Sequence, residues 1–163
     1  ISYRLVGSEM CIRDRSREPD EIIIGTLLHD IGHFTSEFGT FSMEDTEDRY
    51  HEDAGAAVLE EFFPKVITDC CRHHVAAKRY LCATDPEYFQ KLSIASIHSL
   101  NLQGGPMSEA EIKNFERNPN LKKILKVRLY DDAGKIPDMV TPSFWHFAPL
   151  VQKMVDSHCS KEK

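Results

Sequence analysis

Residues 22 to 33 read IIIGTLLHDIGH, and this stretch decides how the rest of the chain is read. Ile22, Ile23, Ile24, Leu27 and Leu28 leave almost no polar face, which predicts a helix buried on all sides. Pro19, Asp20 and Glu21 just before it form a helix-start signature, with proline in the first turn and acids facing the positive end of the dipole. The apolar run leads straight into His29 and Asp30. An unpaired carboxylate in such surroundings is strongly unfavourable. Two arrangements neutralise it: a hydrogen-bonded His-Asp pair at a helix end, or a metal ion held by carboxylate and imidazole.

Outward from this segment the chain predicts helices. Residues 34–49 are polar and glycine-containing, which predicts a surface loop. A second helix is expected from near Tyr50 to Phe63, stopped by Pro64, and a third from Pro64 to about Leu81. Asp85 and Pro86 open a short helix, and residues 92–102 fit a helix or an extended segment equally. Gly104, Gly105 and Pro106 are breakers. Ser108 to Glu111 approaches a capping box for a helix to about Arg117. A longer helix from Leu121 carries Arg128 and Asp131 to near Gly134, and Phe144 to Ser157 predicts a terminal helix. With no repeats and no alternating strand pattern, the expected class is all-α.

Composition sets the outer limits. The 163 residues suffice for one domain with its own core, and 41% hydrophobic with 28% charged residues is an ordinary globular mixture. A net charge of −6 without a basic tract argues against nucleic acid, though a local cationic pocket for small anions is compatible with it. No apolar run approaches a membrane span, so no membrane partner is expected. Five cysteines, an odd number without metal spacing, read as reduced thiols of a cytoplasmic protein. Residues 1–15, ISYRLVGSEMCIRDR, have neither periodicity nor cap chemistry and resemble translated sequencing-adapter DNA. They are expected to be a non-native segment, with residues 16–163 forming the single domain.

Further along, His51 opens a helix, His73 and His74 lie midway along another, and Asp131 sits near the end of a third. Each is flanked by residues that look core-facing, which favours the metal reading. One aspartate can bridge two cations while imidazoles fill outer positions, an arrangement suited to activating water or dioxygen. His33 lies four residues after His29, one helical turn on, and Lys78 lies four after His74 and shares its face. Lys78 and Arg128, the latter three residues before Asp131, would place cationic groups beside such a site. A solvated surface charge is the plain alternative for each. His73 and His74 point about 100 degrees apart on their helix, so only one of the two is expected to face the site.

The order His29-Asp30, His51, His74, Asp131 and the spelling LLHDIGH resemble the HD-domain superfamily. The stretch 73–107, HHVAAKRYLCATDPEYFQKLSIASIHSLNLQGGPM, followed by RLYDDAGK at 128–135, is similar to the HD-domain oxygenases of phosphonate breakdown. The resemblance implies a helical bundle around a buried dinuclear site. His29 and Asp131 would bind one iron, His51 and His74 the other, with Asp30 bridging a mixed-valent Fe(II)/Fe(III) pair. The resemblance, through its match to His74-x-x-x-Lys78, implies His74 as the ligand and His73 as non-ligating. The ligand types alone also admit Mn or other divalent ions. His33, Lys78, Ser96 and Arg128 would contact substrate, with Asp30 and His33 central to catalysis. The implied reaction is O2-dependent C–P cleavage of a small 1-hydroxy-2-aminoethylphosphonate. Two alternatives share this ligand set: a metal-dependent phosphohydrolase acting on a nucleotide or other phosphate ester, and a non-catalytic module. The superfamily pattern begins with an upstream histidine, and none precedes His29. The chain is therefore expected to lack its first helix and to bind metal weakly or singly.

Overall fold

The computed structural model describes residues 18–35, 44, 46–48, 50–135 and 142–160. The expectations for residues 1–15, and for most of the loop at 34–49, lie outside that range. Eight α-helices run through the described residues: α1 Asp20–Leu28, α2 His51–Leu59, α3 Lys65–Thr84, α4 Pro86–Gln90, α5 Ile94–Leu102, α6 Glu109–Phe115, α7 Leu121–Ala133 and α8 Ala148–Cys159. Short 3-10 turns occupy Ile31–Phe34 and Phe144–His146. No strand occurs among the described residues, and the all-α expectation is borne out. None of their helices is long and apolar enough to cross a membrane.

Local chemistry explains the element boundaries. Pro64 enters α3 and Asp85 caps α4 by accepting from the Glu87 and Tyr88 amides. The ambiguous stretch at 92–102 is helical because Ser93 caps it, its hydroxyl accepting from the Ser96 amide. Ser108 and Glu111 form the expected capping box at the start of α6. α2 is shorter than expected, ending at Leu59 before a turn that leads to Pro64.

The helix α3, 20 residues long, is the spine of the core. On one side Ile67 and Cys71 pack with Ile24, Leu27, Leu28, Leu59, Phe63 and Phe147. On the other, Cys70 and Ala77 meet Ile22, Phe115, Ile124 and Val127. Each large side chain so buried contributes about 1.5–3 kcal/mol, before the entropy of ordering it is subtracted. Both clusters use α1, which is why its apolar residues face all directions.

One expectation needs correcting. His29 and His33 do not share a continuous α-helix: α1 ends at Leu28, His29 is its C-cap, and Asp30 leaves helical geometry at φ −99, ψ 13. The chain then tightens into the 3-10 turn carrying His33. Gly32 in that turn lies so near α2 that a Cβ there would sit 1.8 Å from the His51 carbonyl oxygen. The close packing of turn on helix, not helical periodicity, sets the path through His33.

Candidate metal centre

Four segments deliver the candidate ligands: the end of α1, the start of α2, the middle of α3 and the end of α7. Tyr50 reverses the chain into α2 through a left-handed conformation, φ 50 and ψ 41, so that His51 becomes its first residue. A non-glycine residue there is strained by about 1–2 kcal/mol.

Hydrogen bonds select the tautomers. His29 Nδ1 lies 2.7 Å from the Thr26 carbonyl, and His74 Nδ1 lies 2.7 Å from the Cys71 carbonyl. A carbonyl only accepts, so both Nδ1 atoms donate, and each neutral ring presents a bare Nε2 lone pair. His51 Nδ1 lies 3.4 Å from Glu52 Oε2, a charge contact without a hydrogen bond.

These lone pairs converge with carboxylates in two groups. His51 Nε2 and His74 Nε2 approach each other at 3.0 Å and lie 3.5 and 3.2 Å from Asp30 Oδ1. His29 Nε2 lies 3.4 Å from Asp30 Oδ2 and 3.5 Å from Asp131 Oδ1. It is buried and makes no hydrogen bond. Each triad has its ligand atoms within 4.8 Å of one another. Ligand atoms about 2.1 Å from one ion stand roughly 3.0–3.4 Å apart, so these spacings match the edges of coordination polyhedra. Asp30 turns one oxygen to each triad, as a bridging carboxylate does. Converging lone pairs repel unless a cation or proton lies between them, so the residues fit a pair of metal ions.

Electrostatics agree. Burial opposes charge on Asp30 and Asp131, yet both are held well below the ordinary carboxylate range, Asp30 by His29 and Asp131 by Arg128, Lys135 and His29. Burial also works to lower His29, but Asp30 and Asp131 raise it to about 10. Burial prevails at His74, which falls to about 4.

The remaining expected residues gather around the same cavity. It is lined by Asp30, His33, Lys78, Ser96 and Arg128 together with His51 and His74. His33 stacks on His51 with centroids 3.9 Å apart. Lys78 and Arg128 are 4% and 5% exposed, which excludes the surface-charge alternative for both. Burial, then Arg128 and Lys135, push the Lys78 ammonium down to about 7. Ser96 lines the cavity, but its hydroxyl accepts from Ser93; the partner of Lys78 Nζ is Ser99, one turn on, at 2.7 Å. His73 stands apart, edge-on to Phe115.

Sequence reasoning assigned no role to Ser99, Lys135, Tyr88 or Asp132. Lys135 also lines the cavity and donates to Asp131 Oδ2 at 2.8 Å. Its signal was available as spacing, four residues after Asp131. Asp132 stands four residues after Arg128 in the same way. Tyr88 and Ser99 arrive from other helices and carried no such signal.

Comparison with known proteins places these observations. A family model described as HD domain matches residues 5–127. The 1-hydroxy-2-(trimethylamino)ethylphosphonate dioxygenase (glycine-betaine-forming) of Leisingera caerulea is 71% identical over 147 residues, spanning 90% of this chain and 75% of that protein. The hydroxymethylphosphonate dioxygenase of Gimesia maris is 40% identical over 140 residues, spanning 83% of this chain and 68% of that protein.

Proposed function

The chain belongs to the HD-domain family, and from that premise we propose that it is an oxygenase splitting the C–P bond of a small 1-hydroxyphosphonate with a cationic nitrogen on C2. The observation that carries this reading is Asp30 shared between two triads directly beside a cationic wall of buried Lys78 and Arg128 and half-buried Lys135. The family and the donor set imply a metal cofactor, and we assign it as two irons on His29, Asp30, His51, His74 and Asp131. Residues 16–163 form one HD domain on this reading, and the reduced thiols suit the cytoplasm.

The greater identity to the trimethylamino-substrate enzyme, 71% against 40% for the hydroxymethylphosphonate enzyme, favours a trimethylammonium or related ammonium substituent. The cavity also carries Glu47 and Asp48. It thus offers both signs of charge, as a zwitterion requires. The overall change is balanced: R–CH(OH)–PO3(2−) with O2 gives R–COO(−), HPO4(2−) and one proton.

A redox-active ion pair supplies dioxygen activation when bound, whereas a redox-inert pair supplies only activated water. The chain's own residues supply binding and orientation. Arg128 has N–H groups for two phosphonate oxygens, and Lys78 a compact charge that an arriving dianion keeps protonated. His33, stacked against His51, presents a ring edge to the cavity and orients the substrate hydroxyl. Buried Val75 lines the same cavity and gives it an apolar surface that limits water.

The test is anaerobic purification followed by elemental analysis, EPR and product assay. Two irons with a coupled mixed-valent signal, and O2-dependent release of phosphate and glycine betaine from the trimethylamino substrate, are expected. Redox-inert metal with O2-independent hydrolysis of phosphate esters would overturn the reading in favour of a phosphohydrolase.

A further inference from the structure

Building on that reading, we infer that Asp132 and Tyr88 are positioning residues that hold the Arg128 guanidinium in the orientation that captures the phosphonate. Arg128 is 5% exposed, so its charge must be matched locally. Its Nε donates to Asp132 Oδ2 at 3.1 Å and to the Tyr88 hydroxyl at 3.0 Å, and its Nη2 donates to Asp132 Oδ1. Nη1 meets Asp131 Oδ2 at 2.9 Å. Tyr88 in turn donates to Asp132 Oδ2 at 2.6 Å, closing a three-membered ring of hydrogen bonds between α4 and α7.

This arrangement leaves a defined remainder. A guanidinium has five N–H groups. The side-on carboxylate of Asp132 takes the Nε group and one on Nη2, and Asp131 takes one on Nη1. One N–H on each terminal nitrogen is left for a two-oxygen anion. The cavity side of Arg128 is where Lys78 and Lys135 also converge. An arginine loses considerable rotamer freedom on fixing, so a brace made before substrate arrives removes that cost from binding.

The idea makes a prediction opposite to simple charge counting. Asp132 is a negative group beside an anion site, so Asp132→Asn by Coulomb attraction alone should tighten anion binding. If Asp132 works by holding Arg128, the same change weakens it.

The experiment is calorimetric titration of methylphosphonate into the metal-loaded protein and its Asp132→Asn, Arg128→Ala and doubly substituted forms, with metal content measured in each. Expected is a Kd roughly tenfold weaker in Asp132→Asn at unchanged metal content, with no further weakening when Asp132→Asn is added to Arg128→Ala. Tighter or unchanged binding in Asp132→Asn, or an equal loss in both backgrounds, overturns the brace. Should Asp132→Asn fail to fold, Tyr88→Phe removes only the hydroxyl and is read by the same cycle. Coupled binding in a protein that releases no phosphate from 1-hydroxyphosphonates with O2 would retain the brace and reject the oxygenase reading. Normal turnover with an uncoupled cycle would do the reverse.

Discussion

At the scale of single residues, the two imidazoles His29 and His74 hold their protons differently although both are buried. Two carboxylates face His29 and raise it to about 10, while burial lowers His74 to about 4. Without metal at neutral pH, His29 is therefore protonated and His74 is not. A metal ion needs the His29 lone pair, so binding must expel that proton. Loading is expected to release about one proton, seen by calorimetry in buffers of different ionisation enthalpy, and apparent affinity should rise about tenfold per pH unit towards the His29 pKa. Buffer-independent heats would refute this. The sharing of Asp30 gives a second expectation. Asp30 belongs to both triads and His74 to one. Asp30→Ala should lose both ions and His74→Ala only one, by elemental analysis of protein purified without chelator. Equal losses would remove the bridging assignment.

At the scale of elements, the centre depends on how closely the 3-10 turn, α2 and α3 approach. The Cys71 thiol on α3 donates to the His29 carbonyl at 3.2 Å. A Cβ at Gly32 would lie 1.8 Å from the His51 carbonyl oxygen, a rigid backbone atom that cannot yield. Gly32→Ala should thus push His51 away from Asp30, lowering stability by about 1–3 kcal/mol or more and lowering metal content with it. Gly105 is the control: nothing lies within 4 Å of its Cβ position, but its φ is +73. Gly105→Ala should cost about 1 kcal/mol in denaturant melts and leave metal content alone. Normal metal content in Gly32→Ala would show that the turn does not set the ligand spacing. The same elements show what sequence could reveal. Helices with caps or proline starts, such as α3, α4 and α6, were readable because their signals are local. The end of α1 at Leu28 was not, since packing of Gly32 on α2 breaks a helix that its own residues would continue. The choice between Ser96 and Ser99 depends on how α5 lies against α3, which one-dimensional spacing does not contain.

At the scale of the whole molecule, the candidate ligand set was legible because a buried His-Asp pair is costly and the order His29-Asp30, His51, His74, Asp131 resembles the HD-domain superfamily. The outer support was less legible, because Tyr88 and Ser99 act on residues 40 and 21 positions away. Four chain segments bring candidate ligands to one point, where imidazoles and carboxylates crowd together within coordination distance of one another. Metal binding to this folded arrangement must therefore stabilise the fold that assembles it, by about 2.7 kcal/mol when free metal is a hundred times its Kd. For a chain of 163 residues that corresponds to a melting shift of roughly 5–10 °C. Because α1, α2, α3 and α7 all carry ligands, hydrogen exchange should slow in all four together. Slowing confined to the start of α2 would mean that the ions order only a local segment. Asp30→Ala should abolish the melting shift, since it strips both triads of their common member. A shift that persists in that variant would place the stabilising ion elsewhere and would separate metal-linked stability from the centre proposed for chemistry.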